Sequence, residues 1–240
     1  MALETYQCAG VSGAGGSRSP AARSRNGFSL TAAGDAGRGE VEAYIAAVFA
    51  ANYGARIHSF LPLLLSQRKR DSISSALGLR RADRGTLFLE QYLDRPVEEV
   101  LTEATRHSVA RADIVEIGNL VSTCHGSTLM LFLMLAELFA AAGMTWAIFT
   151  ATPEVHSLLQ KLALDQVVLC RADGERLGAE LADWGSYYDT HPSVTAVNVS
   201  EGRQTLLKKP LTRRLILACT EQAQALAPVL RATDGVESCN

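Results

Sequence analysis

Glu116 is the residue from which a chemical reading of this 240-residue chain begins. It interrupts the apolar stretch Ile114 to Val121, and a carboxylate carried into such surroundings without a partner is costly. Two arrangements relieve that cost. A cation such as Arg80 or Arg111 pairs with it, or its proton affinity rises and suits it to act as a base or to hold a substrate amine. Asn119 offers an amide to a substrate or to a turn. Gly118 permits close backbone approach or marks a bulge. Further on, Ser127 and Thr128 stand where a helix starts; they can cap it, and the free N–H groups there attract an anion such as phosphate. Cys124-His125 has the residue types of a nucleophile and its base, but neighbours along a chain seldom point at one another. Neither has metal-ligand spacing with its surroundings, and no metal is expected.

These groups need elements to hold them. Asp113 to Val121 reads as a buried strand, Ser122 to Thr128 as a loop, and Leu129 to Met144 as a helix apolar all round, capped at Gly143. That helix is shorter than the roughly 18 to 20 residues needed to cross a bilayer, so it belongs in a core and no stable membrane insertion is expected. Trp146 to Thr150 supplies a second buried strand. Thr152-Pro153-Glu154 then opens an amphipathic helix with Val155, Leu158, Leu159 and Leu162 on one face.

Upstream, Val41, Tyr44, Ile45, Val48 and Phe49 form a helical stripe closed by Gly54. Ile57 to Gln67 reads as a strand with Pro62 inside it, at a bulge or an edge. Asp71 to Leu79 and Thr86 to Leu93 are strand-like or connecting, and Pro96 to Glu103 opens a helix. Downstream, Gln166 to Cys170 and Ser193 to Val199 are strands and Leu211 to Leu230 is helical. The mixture without strict alternation is α/β of the α+β kind. Residues 1–38, rich in Gly, Ala, Ser and Arg, read as a disordered tail, 39–232 as one domain, and 233–240 as a flexible terminus.

A hydrophobic fraction of 48% supports one substantial core. A formal charge of −2 argues against a general nucleic-acid binder. Five dispersed cysteines suit free thiols in a reducing compartment, and no secretory signal pattern is visible, so the expected location is the cytoplasm.

The strings Phe88-Leu89-Glu90-Gln91-Tyr92-Leu93, Val115-Glu116-Ile117-Gly118-Asn119-Leu120, Phe149-Thr150-Ala151-Thr152 and Trp184-Gly185-Ser186-Tyr187-Tyr188 with Pro192-Ser193-Val194 resemble the bacterial thermostable hemolysin family over residues 40–200. Their order is similar to the fold shared by GCN5-related N-acetyltransferases and acyl-homoserine-lactone synthases. The resemblance implies a central mixed twisted sheet with flanking helices, in which two parallel strands, ending at Val121 and Thr150, splay apart around a thioester arm. It also implies an N-acyltransferase taking an acyl group, longer than acetyl, from acyl carrier protein or acyl-CoA to a small amine, with the thioester as co-substrate and no tightly bound cofactor.

On that resemblance, Glu116, Asn119, Tyr187 and Tyr188 are the catalytic candidates, the tyrosines as donors near the leaving sulfur or as core closure. Val121, Ser122, Gly126, Ser127, Thr128 and Thr150 line the thioester, and Glu90, Arg80 and Trp184 line the acceptor. The loop from Ser122 to Thr128 lacks the glycine pattern of the acetyltransferases, which favours a carrier protein over coenzyme A. The family name implies the alternative of a membrane-acting lysin. A domain that binds a carrier or lipid without turnover is the third.

Overall fold

The computed structural model describes residues 26–124 and 126–232. The chain runs β1 (Asn26–Thr31), α1 (Arg38–Tyr53), β2 (Leu63–Lys69), β3 (Ser72–Arg81), α2 (Val97–Thr105), β4 (Ile114–Ser122), α3 (Ser127–Ala142), β5 (Trp146–Ala151), α4 (Pro153–Leu162), β6 (Val167–Arg171), β7 (Ser193–Asn198), α5 (Val199–Lys208) and α6 (Pro210–Ala232). Its seven strands form one sheet in the order β1-β2-β3-β4-β5-β7-β6. The β4–β5 pair is parallel and the other neighbours are antiparallel. This is the central mixed sheet with one parallel pair and flanking helices that the separated strings imply.

Side-chain alternation sends the strands' apolar residues to two cores. Leu63, Leu65, Leu77, Leu79, Val115, Ile117, Ala147, Phe149 and Val197 meet α3, α4, α5 and α6 on one face. Leu64, Ala76, Ile114, Val121, Ile148, Val194 and Ala196 meet α1, α2 and the connecting segments on the other. α3 is apolar all round because it lies between the sheet and α5 and α6. Its buried Glu137 accepts from Arg203 Nε at 2.6 Å and from Thr220 Oγ1 at 3.1 Å, so the charge inside the layer is paired.

β4 and β5 are hydrogen-bonded neighbours only from Ile114↔Trp146 to Ile117↔Phe149. Beyond that point β4 stays with β3, and β5 stays with β7. A bulge accompanies the parting: Gly78 faces Gly118, whereas Ala76 faces Val121, so β4 carries one extra residue. Asn119 sits there with a left-handed φ of 52°. The extra residue turns Val121 to the face of Ile114 and Glu116, whereas strict alternation from Ile117 would send it to the other.

Several expectations are corrected. Order does not wait for residue 39: β1 pairs with β2 from Asn26↔Lys69 to Thr31↔Leu64, because a short edge strand needs only a neighbour's backbone. Residues 1–25 and 233–240 lie outside the described residues. Pro62 precedes β2 instead of interrupting it, as a residue without an N–H must in a strand paired on both sides. Residues 88–92 form a 3-10 turn, the connecting alternative of the two left open for them, and α5 follows β7 directly.

Gly185 joins the Trp184 segment to α1. Its φ of 52° with ψ of −128° places its missing Cβ 2.0 Å from Tyr53 O. That same carbonyl accepts the Ser186 N–H at 2.9 Å. Gly185→Ala is expected to cost about 3 kcal/mol, lowering Tm by on the order of 10 °C. Thermal unfolding followed by circular dichroism checks this, and an unchanged Tm would refute the close approach.

Candidate active site

Glu116 is 2% exposed, on the face of the sheet that α1 and α2 cover. Its Oε1 accepts from Leu89 N at 2.8 Å and its Oε2 from Phe88 N at 3.2 Å. Burial nevertheless pushes its carboxyl up to about 7, with the two amides and the Arg80 charge pulling the other way. Neither arginine named as a partner pairs with it. Arg80 lies opposite in register but donates to Thr86 O at 2.6 Å. Arg111 binds both oxygens of Glu90, at 2.7 and 2.8 Å, and Glu98 at 2.7 Å.

Glu90 is therefore a structural acid in place of the expected acceptor contact. It also accepts the amides of Leu87 at 2.8 Å and Val97 at 3.1 Å. Although burial opposes ionisation, Arg111 and these amides hold its carboxyl at about 2. Arg111 further donates to Ala82 O at 2.7 Å and Gly85 O at 3.0 Å. The pair thus sets the path of residues 82–98, and with it the two amides aimed at Glu116.

Asn119 is likewise turned inward. Its Oδ1 accepts from Leu61 N at 3.2 Å and its Nδ2 donates to Ser59 O at 3.4 Å. Of the two outcomes expected for it, the structure selects the turn. Gly118 and Gly78 are needed beneath the same segment, where a Cβ would come within 3.0 and 2.8 Å of the Leu61 side chain.

Rings complete the Glu116 face. Trp184 packs on Phe49, Phe88, Tyr187 and Tyr188 with centroids 5.4 to 6.1 Å apart. Tyr188 and Tyr92 share a hydrogen bond between their hydroxyls, and burial raises both phenols well above the ordinary range. Tyr187 is enclosed by Phe49, Tyr53, Trp184 and Tyr188, and burial raises it too. The structure thus brings Glu116, Trp184 and the tyrosines to one face and diverts Arg80, Glu90 and Asn119 to the frame.

At the start of α3, Gly126 is the cap, with a φ of 76° and no side-chain cap bond. This corrects the expectation that Ser127 or Thr128 caps. Ser127 is buried and its hydroxyl accepts from Lys69 Nζ at 2.9 Å. The Lys69 cation therefore lies beside the first turn of α3, the positive end of that helix. Val121 and Ser122 of β4 and Thr150 of β5 lie beyond the last pair that the two strands share, each still paired with its outer neighbour. His125 lies outside the described residues. Ser122 Oγ donates to Cys124 O at 3.4 Å.

On the opposite face, Ile117 and Phe149, the last residues that β4 and β5 share, open onto an apolar pocket. Phe132, Leu135 and Phe139 of α3 line it with Val197 and Leu206, and it encloses about 430 Å³ of empty space, its solvent side included.

Sequence reasoning missed Lys69, Tyr92 and the amides of Phe88 and Leu89. The signal for the amides lay in Glu90, which reaches back to Leu87 N as the third residue of the turn. Nothing local marks Lys69, since only the register of β2 brings it to α3.

The fold is similar to that of FeeM, an N-acyl amino acid synthase from uncultured soil microbes. Identity is 11%, the TM-score is 0.51, and the likeness covers 79% of this chain and 98% of FeeM. It is similar also to the acyl-homoserine-lactone synthase LasI, with 12% identity, a TM-score of 0.50 and coverage of 74% and 91%. No curated protein matches in sequence. The thermostable hemolysin family model matches residues 31–203, most of the chain, and the chain belongs to that family.

Proposed function

We propose that this chain is an N-acyltransferase that moves an acyl group from a thioester, carried by acyl carrier protein or coenzyme A, onto a small amine. The observation that carries the reading is the parting of β4 from β5 after Ile117 and Phe149, with a buried carboxyl on one face and an apolar pocket on the other. The names of FeeM and LasI agree with it. The apolar lining of the pocket, Phe132, Leu135 and Phe139 among it, suits the chain of an acyl group longer than acetyl.

In this reading the thioester arm lies between the strands, where backbone donors of the β4 edge meet the carbonyl and stabilise its developing oxyanion. Lys69 and the start of α3 hold a phosphate of the donor. The acceptor enters beside Trp184. Glu116, two of whose lone pairs are engaged by backbone amides, uses another to take a proton from the attacking amine. The nitrogen–carbon bond forms, the carbon–sulfur bond breaks, and the thiolate leaves with a proton. Tyr188, a phenol kept protonated by burial, is the donor candidate for that last step. Tyr187, surrounded by rings, is packing.

The family description favours a second reading, a membrane-acting lysin. Among the described residues no helix is long and apolar enough to cross a membrane, and the apolar α3 is enclosed. Dye release from liposomes by the folded, detergent-free protein would support lysis.

A mass-spectrometric screen of acyl thioesters against amines is expected to reveal an N-acylated product. Glu116→Gln is expected to lower kcat by on the order of 10² to 10⁴. Absence of binding and turnover, with the variant indistinguishable from the parent, would overturn the reading.

The pH dependence gives a separate check. Activity is expected to rise through about pH 7 as Glu116 ionises. Stability runs the other way. The folded chain holds a proton at Glu116 that the unfolded chain releases from about pH 4.5 upward, so this contribution is full at low pH and falls as the pH rises through 7. Glu116→Gln lacks that fall. Over the same window it should gain on the parent by up to about 3 kcal/mol in urea unfolding, and parallel pH profiles would contradict the buried, raised carboxyl.

A further inference from the structure

We propose a second, nucleophilic site, formed by Ser193, His156 and Gln166, that takes an acyl group from an activated ester or thioester and passes it to water. His156 stands on the first turn of α4. Its Nδ1 contacts Gln166 Oε1 at 2.6 Å, and its Nε2 contacts Ser193 Oγ at 2.7 Å. Gln166 presents its carbonyl oxygen, so the ring proton sits on Nδ1 and the Nε2 lone pair faces the serine hydroxyl. That is the order of roles a nucleophile needs: a hydroxyl, a base that accepts its proton, and an acceptor that fixes the base's tautomer.

Three elements hold the arrangement. Ser193 opens β7, opposite Ala151 and Arg171, and His156 is tied by its own amide to Thr152 O at 3.0 Å. Gln166 directly precedes β6. Ala151 ends β5 two residues past Phe149, so the site stands at the mouth of the strand that borders the cleft. All three side chains are half-buried and thus reachable by a small acyl donor. The first turn of α4 also carries the amides of Glu154 and Val155, which a helix start leaves free to meet an oxyanion.

The step balances with water as co-reactant. Ser193 Oγ bonds to the acyl carbon while His156 Nε2 takes the hydroxyl proton. The bond from that carbon to the leaving sulfur or oxygen breaks, and His156 returns the proton to the leaving group. Water, giving a proton to the same nitrogen, then bonds to the acyl carbon; the bond from that carbon to Ser193 Oγ breaks, His156 returns the proton to Oγ, and the acid is released. Nothing in this sequence uses Glu116, so the site stands or falls apart from the proposed N-acylation.

A fluorophosphonate probe on the full chain, with peptide mapping, tests the proposal, alongside hydrolysis of a short p-nitrophenyl ester. Ser193 is expected to carry the label in the parent and equally in Glu116→Gln. Ser193→Ala should lose label and hydrolysis together, and His156→Ala should slow both by about 10² or more. Gln166 acts through the imidazole: Gln166→Leu should slow labelling at least about tenfold, whereas Gln166→Glu, which keeps the acceptor, should restore it. Parent protein left unlabelled at Ser193 while folded, or equal hydrolysis by Ser193→Ala, would show a structural clamp and overturn the proposal.

Discussion

The structure depends on one extra residue in β4. Asn119 enters the left-handed region, shifts the register against β3 between Ala76 and Gly78, and is held there by the backbone of residues 59 and 61. From that point β4 and β5 no longer share a ladder. Each keeps its outer neighbour, so two strand edges face one another across a gap in the middle of the sheet. Backbone groups at such edges need partners, and an extended amide-bearing arm between them can supply both sets. The bulge also sets what surrounds the gap, because it turns Val121 toward the Glu116 face while Leu120 packs with Ile117 on the other.

The two faces then differ in chemistry. One holds an apolar pocket under α3 and α5, the other a carboxyl whose proton affinity burial has raised. Glu116 owes its position to backbone amides, which orient a carboxylate without neutralising it as a guanidinium would. The neutralising cation is instead spent on Glu90, where its fork fixes the loop that carries those amides. A low carboxyl and a raised one thus sit on a loop and a strand joined by hydrogen bonds: Glu90 builds the loop, and in the proposed reaction Glu116 is the group that takes the proton.

Much of the frame was legible in the residues themselves. α3 declared its burial through an apolar surface with Glu137 as its sole charge, and Thr152-Pro153-Glu154 marked the start of α4 as a cap with proline at the first helical position. Glu116 drew notice because a charge in an apolar strand must be accounted for. What stayed hidden is contact between distant parts of the chain. Its partners are amides 27 and 28 residues upstream, and amides have no residue identity to read. Asn119 looked equally fit for a substrate or a turn until register placed Leu61 beside it, 58 residues away. Strand β1 was masked by the same small residues that made its surroundings resemble a tail, and Ser193 lies 37 residues from its histidine.

The account turns on whether the gap between β4 and β5 receives a thioester arm. A crystal structure of the protein with a non-hydrolysable acyl-pantetheine analogue measures this most directly. The arm is predicted between Val121 and Thr150, with its acyl chain in the pocket below Ile117 and Phe149 and its carbonyl reachable from the Glu116 face. An analogue bound elsewhere, or a gap still empty at saturating concentration, would contradict the account.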